Sequence, residues 1–149
     1  MQRNLRGLTV DELFRGASLT PVGPVRWEDL IPEAGPGVYA ISVVAGATDT
    51  CERVDVSTLS PAQRDRWLPR HPIIYIGRAG SLSDRLHQFY THRYGDHAPH
   101  RGGQDVLLLG HLQRWVFWSP TLRFQAAEHD LIHAFVEHSG HLPFANRRF

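Results

Sequence analysis

The spacing of apolar positions changes period several times along the chain, and each change marks the edge of an element. Ile73-Ile74-Tyr75-Ile76 is a β-branched and aromatic run with the composition of a buried strand. Gly77 and Gly80 follow and are expected to break it, after which Ser81 or Ser83 can cap a helix. In that helix Leu82, Leu86 and Phe89 recur at i, i+4 and i+7, an apolar stripe facing a core, with Arg85 beside it at the sheet edge. Gly37 to Val44 reads as an earlier strand carrying Tyr39, and Arg114 to Trp118 as a later one, stopped by Ser119-Pro120. Thr121 to His138 reads as a long helix with Gly140 as its C-terminal cap.

The intervening pieces are shorter. Thr9-Val10-Asp11-Glu12 has the form of a capping box and opens a helix to about Gly16. Pro21, Pro24, Pro32 and Pro36 then punctuate an irregular lead-in. Between the first two strands lies an extra stretch, roughly Gly46 to Pro72, with a short helix capped by Ser60 and started by Pro61. It carries Arg64, Arg66 and Arg70, and either reaches toward a substrate or pads the sheet. His92 to Gly103 reads as a mobile polar loop and Gln104 to Leu112 as a short helix.

Composition narrows the class. A chain of 149 residues is one domain with room for a real core, here about residues 37–149, preceded by a helix and lead-in over 1–36. At 42% hydrophobic and 21% charged it is an ordinary soluble globular sequence. Cys51 is the single cysteine, which excludes an internal disulfide. Met1 to Phe14 lacks an apolar signal region and Val38 to Ala47 is too short to span a bilayer, so a cytoplasmic, non-membrane protein is expected. The net charge of +1 is unevenly spread: residues 1–57 carry −3, residues 58–103 carry +4 and residues 104–149 carry 0. The positive third contains the Tyr75 strand, as a phosphate-binding face requires. All 16 basic residues are Arg, which suits phosphate contacts but more often reflects a GC-rich genome, and points to a bacterial source.

One residue breaks the apolar pattern. At about 100° per residue, Phe124, Leu131 and Phe135 project from one side of the long helix, and Glu128 falls on that same side. Placing a carboxylate there costs on the order of several kcal/mol unless it is paired or metal-bound. Glu128 therefore pairs with Arg85 or another Arg, or holds a cation, and both can be true of the protein alone. The histidines offer less. His97 and His100 are three apart, and His129 and His133 stand at i, i+4 as zinc ligands can, but on the polar side of the helix and without a further ligand set.

Gly37-Val38-Tyr39, Tyr75-Ile76-Gly77, Arg85, Glu128 and the closing Pro143-Phe144-Ala145-Asn146 stand in a fixed order, and in that order the chain resembles the GIY-YIG nuclease superfamily. The resemblance implies an α/β (α+β) domain: a small, mostly antiparallel three-stranded sheet flanked by helices, with an insertion between its first two strands. It implies an endonuclease that hydrolyses DNA phosphodiesters with Mg²⁺ or Mn²⁺, leaving a 5′-phosphate and a 3′-hydroxyl; RNA is not excluded. Glu128 would hold the metal, Arg85 would stabilise the transition state, and Asn146 would support the site by hydrogen bonding. Tyr39 or Tyr75 would activate the water. Only about 0.1% of a free tyrosine is phenolate at pH 7, so a base role needs a cation nearby.

Two positions depart from the family pattern. Arg78 stands where many members have Lys; it can clamp a phosphate but cannot act as a base. Phe89 stands where many place a Tyr or His, which leaves His87, Tyr90 or His92 to contact the phosphate. These departures keep open a rival of another class, a nucleic-acid-binding module of the same fold without turnover.

Overall fold

The sheet has four strands, one more than the sequence pattern predicts, in a computed structural model that describes residues 6–97 and 101–147. In chain order the elements are α1 (Val10–Gly16), β1 (Val22–Arg26), β2 (Gly37–Ser42), α2 (Pro61–Arg66), β3 (Ile73–Ala79), α3 (Leu82–Thr91), a 3₁₀ helix (Arg101–Leu109), β4 (Trp115–Pro120) and α4 (Phe124–Ser139). The strands lie in the order β1-β4-β2-β3, every neighbouring pair antiparallel. The added strand β1 comes from the stretch read as irregular. Its Gly23 and Pro24 hide the strand signal, and a proline is tolerated because β1 is an outer strand.

Helix α1 and strand β1 thus contribute to the packed structure. Val10, Leu13 and Phe14 of α1 are buried in the same cluster as Val38, Ala40, Ile76, Phe117, Leu131 and Phe135, on one face of the sheet. The other face packs Tyr39, Ile41, Tyr75 and Trp118 under α3 and the 3₁₀ helix, through Leu86, Phe89, Val106 and Leu109. Alternation along β2, with Val38 and Ala40 on one side and Tyr39 and Ile41 on the other, is the period-2 rule for a sheet covered on both faces. Reciprocal capping bonds form where the sequence places them, Thr9 with Glu12 for α1 and Ser60 with Gln63 for α2.

Several boundaries move for identifiable reasons. β3 does not stop at Gly77 but runs to Ala79, pairing Tyr39 with Gly77. A Cβ on Gly77 would lie 2.5 Å from Cζ of Tyr39 and 2.6 Å from its hydroxyl, so this glycine makes room for a ring instead of ending a strand. β4 includes Ser119 and Pro120, which pair with Val38 and Gly37. α4 starts at Phe124 because the Thr121 N–H donates to the Pro36 carbonyl at 3.0 Å and its hydroxyl accepts from Arg123 N–H at 3.2 Å, holding a turn. It ends at Gly140 in the left-handed conformation, φ 82°, as the sequence predicts. The predicted polar loop is shortened from its far end, since the 3₁₀ helix begins at Arg101 and stops at Leu109, where the sequence suggested Gln104 to Leu112.

Helix α3 begins at Leu82, but Ser81 makes no side-chain cap bond. The N–H groups of Leu82 and Ser83 donate instead to the carbonyls of Gly35 and Glu33, each at 2.9 Å, so the lead-in satisfies the helix end. The insertion is closed at its base by Val43 N–H donating to Pro72 C=O at 2.9 Å. Its apolar residues pad the core: Leu59 is buried, and Trp67 packs edge-on against Phe144 at 5.3 Å. No helix among the described residues is long and apolar enough to cross a membrane.

β3 is an outer strand, and the C-terminal segment covers its edge. Ala145 N–H donates to Ile74 C=O at 2.8 Å. The Asn146 amide then accepts from Ile76 N–H and donates to Ile76 C=O, both at 2.9 Å, one side chain standing in for a strand backbone. Asn146→Ala leaves two buried backbone groups without these partners. We expect a loss of about 2–3 kcal/mol, read from urea unfolding midpoints; an unchanged midpoint would show that the edge does not need the amide.

Candidate active site

A cleft of about 810 Å³ opens at β3, between α3 and α4, and gathers residues far apart in the chain. Tyr39 and Tyr75 reach it from the face under α3; Arg85 lines it from α3, Arg78 from β3 and Glu128 from α4, with Asn146 behind. The two phenol rings lie 6.0 Å apart, and the Tyr39 hydroxyl meets both the Arg85 guanidinium and the Tyr75 hydroxyl. Arg78 Nη1 donates to Glu128 Oε1 at 3.0 Å, and Arg85 Nη1 donates to Gln88 Oε1 at 3.3 Å. The helical stripe containing Glu128 is real but tilted: Leu131, Ile132 and Phe135 are buried, while Phe124 and Glu128 are half-buried at its rim.

Burial dominates the proton affinities. Tyr39 has no exposed surface, and this desolvation pushes its phenol well above 10, with Tyr75 adding to the effect and Arg85 opposing it. Tyr75 is pushed up to about 12, first by burial and then by the Glu128 charge, against Arg85 and Arg78. Glu128 is raised above 4.5 by burial, with Arg78 pulling the other way. In the protein alone, the cations near the phenols do not overcome the loss of water.

The three residues put forward to replace a polar group at position 89 do not line this cleft. His87 is exposed on α3, His92 is buried just past its end, and the Tyr90 ring lies edge-on to Trp27 at 4.9 Å. Helical geometry explains His87 and Tyr90, because positions two and five beyond Arg85 turn away from it, whereas His92 lies past the last residue of α3. Phe89 itself is buried behind the phenols, its ring 5.6 Å from Tyr75 and 6.5 Å from Tyr39. The cleft includes residues that sequence reading passed over: Gln88 three after Arg85, Gln125 three before Glu128, and Arg147 next to Asn146. The same i, i+3 spacing could have found the first two.

Among the described residues no group of three or more His, Cys, Asp or Glu gathers as a metal cage. His129 and His133 stack at 6.4 Å, both exposed, and His100 lies outside the described residues. Two carboxylates line the open cleft, Glu128 from α4 with one oxygen engaged by Arg78, and the exposed Asp84 from α3. That donor set fits a hard divalent cation that takes one or two protein carboxylates and fills its other positions with waters and phosphate oxygens.

Because burial raises Glu128, the folded state resists its ionisation. The destabilisation is full above the folded-state value, fades as pH falls toward 4.5, and is absent below it. Glu128→Gln should therefore melt higher than the wild type at pH 7 and lose that advantage in acid, read by thermal unfolding across pH; a lower melting temperature at pH 7 would mean that the Arg78 bridge outweighs desolvation. No protein-family model matches this chain, and neither a curated protein nor a solved structure does.

Proposed function

We propose that the chain is a metal-dependent endonuclease of GIY-YIG type that hydrolyses phosphodiester bonds of DNA in the cytoplasm. One observation carries this reading: two phenols, two arginines and a half-buried carboxylate from β2, β3, α3 and α4 meet in a single open cleft. A fold selected for stability alone has no reason to hold Glu128 there, where burial works against its charge.

In the proposed reaction, a water attacks phosphorus, a new P–O bond forms, and the bond to the 3′-oxygen breaks to leave a 5′-phosphate and a 3′-hydroxyl. Arg85, already ordered by Tyr39 and Gln88, donates to the phosphoryl oxygens where charge accumulates. An entering phosphate draws Arg78 away from Glu128, since a guanidinium binds phosphate as readily as carboxylate. Glu128, so released, would hold Mg²⁺ or Mn²⁺, which supplies positive charge against the phosphoryl oxygens and the water. Tyr75, the phenol with some solvent access, orients that water and, in its phenolate form, takes its proton, while a solvent proton goes to the departing 3′-oxygen; Tyr39, fully buried, positions Tyr75 and Arg85. Asn146 keeps β3 in register beneath them.

A second reading has a specific observation behind it. Arg78 occupies a Glu128 oxygen and both phenols are raised, which suits a module that binds nucleic acid without cleaving it.

The two readings part in a plasmid assay. Supercoiled DNA with Mg²⁺ or Mn²⁺ should be nicked, with the activity abolished by chelation and reduced at least about 100-fold by Glu128→Ala; binding without cleavage across both metals would establish the module instead. The pH profile tests the base. With the Tyr75 phenol at about 12, the cleavage rate should climb steadily with pH, through the range from about 6 to about 9. Tyr75→Phe should flatten that climb, and a Tyr75→Phe protein with the wild-type slope would remove this tyrosine from the proton transfer.

A further inference from the structure

A second cavity, of about 440 Å³, adjoins the cleft and shares Asn146 and Arg147 with it. Arg66 of the insertion helix α2 also lines it, together with His141 and Asp65. Arg66 and Arg147 converge on Asp105, whose side chain is wholly buried: Arg66 Nη1 donates to Oδ2 at 2.9 Å, Arg147 Nη2 to Oδ1 at 2.8 Å and Arg147 Nε to Oδ2 at 3.2 Å. Arg66 Nη1 also donates to the Phe144 carbonyl at 3.1 Å, and its guanidinium lies over the Phe144 ring at 5.2 Å.

A structural tie would be complete with one arginine. Arg147 alone forms a bidentate pair with Asp105 and neutralises it. The second guanidinium leaves the cluster with net positive charge, and each arginine side chain keeps 41% of its surface exposed while the carboxylate has none. None of the residues of α2 is itself buried, so the helix is held by its flanks, Leu59 and Trp67, and by the Arg66 bonds. Both of these Arg66 bonds use Nη1, so the three N–H donors on Nε and Nη2 take no part in them.

We propose that Arg66 and Arg147, fixed by Asp105, form a second phosphate-binding subsite that holds a flanking phosphate of a polynucleotide whose scissile phosphate lies in the cleft. This rests on the phosphodiesterase reading above and gives the insertion a role in gripping the substrate. The exposed Asp65 opposes the subsite. Grip at Arg66 strengthens binding of a long strand and leaves the bond-breaking chemistry unchanged.

The test is anisotropy of a labelled DNA oligonucleotide of about 20 nucleotides over a salt series, in chelator so that nothing is cut. Arg66→Gln, which leaves Asp105 paired with Arg147, should weaken binding and make the log–log salt slope shallower by about one. Arg66→Lys should restore the slope, and Asp65→Asn, a surface change on α2, should tighten binding. In metal, hydrolysis of bis(p-nitrophenyl) phosphate, which carries no flanking phosphate, should proceed at the wild-type rate in Arg66→Gln. Should that variant fail to fold, Asp65→Asn decides alone. Wild-type protein that binds no oligonucleotide defeats the phosphodiesterase reading; wild-type binding that neither Arg66→Gln nor Asp65→Asn alters overturns only the subsite.

Discussion

An outer strand that borders an open cleft must satisfy its backbone and still leave room for chemistry, and in this protein a single side-chain amide resolves the conflict. Asn146 makes with Ile76 the two bonds that a fifth strand would make, and it does so without adding a strand that would fill the cleft. β3 can then present Tyr75 to one face and Arg78 to the other while remaining in register with β2. The same register sets Tyr39 opposite Gly77, where the missing side chain admits the ring. Phenols and guanidiniums from both faces of a sheet meet because they meet at its edge.

The electrostatics of the cleft follow from that position. A site at a sheet edge is only partly wet, so desolvation raises both phenols and the Glu128 carboxylate together. The arginines offset this without cancelling it. The outcome is a cleft whose arginines are engaged in the free protein, Arg78 by the Glu128 carboxylate and Arg85 by the neutral Tyr39 phenol, and which an anion can rearrange. Asp105 plays the opposite part nearby: wholly buried, it is fully committed to two arginines and so fixes their planes.

Much of this was legible along the chain. The capping residues Thr9, Ser60 and Gly140, the stripe of Leu82, Leu86 and Phe89, and the strands around Tyr39 and Tyr75 obey local rules, since a cap, a helical period or a β-branched run carries its signal within a few residues. Glu128 also stood out locally, as a charge on an apolar stripe. Strand β1 was missed because its glycine and proline speak against a strand, and only pairing with Trp115, Val116 and Trp118 makes it one. Gly77 was misread as a breaker for a related reason, its role being set by a ring 38 positions earlier in the chain.

The sequence by itself determined the periods, the caps and which side chains carry charge or a phenol, because those properties belong to single residues and their near neighbours. Tertiary structure alone decided that Arg78, rather than Arg85, pairs with Glu128, that His87, Tyr90 and His92 turn away from the cleft, and that Arg66 and Arg147 share one buried carboxylate. Each of these is a contact between elements, fixed by the packing of α3, α4 and the insertion against the sheet, and no spacing within one element encodes it.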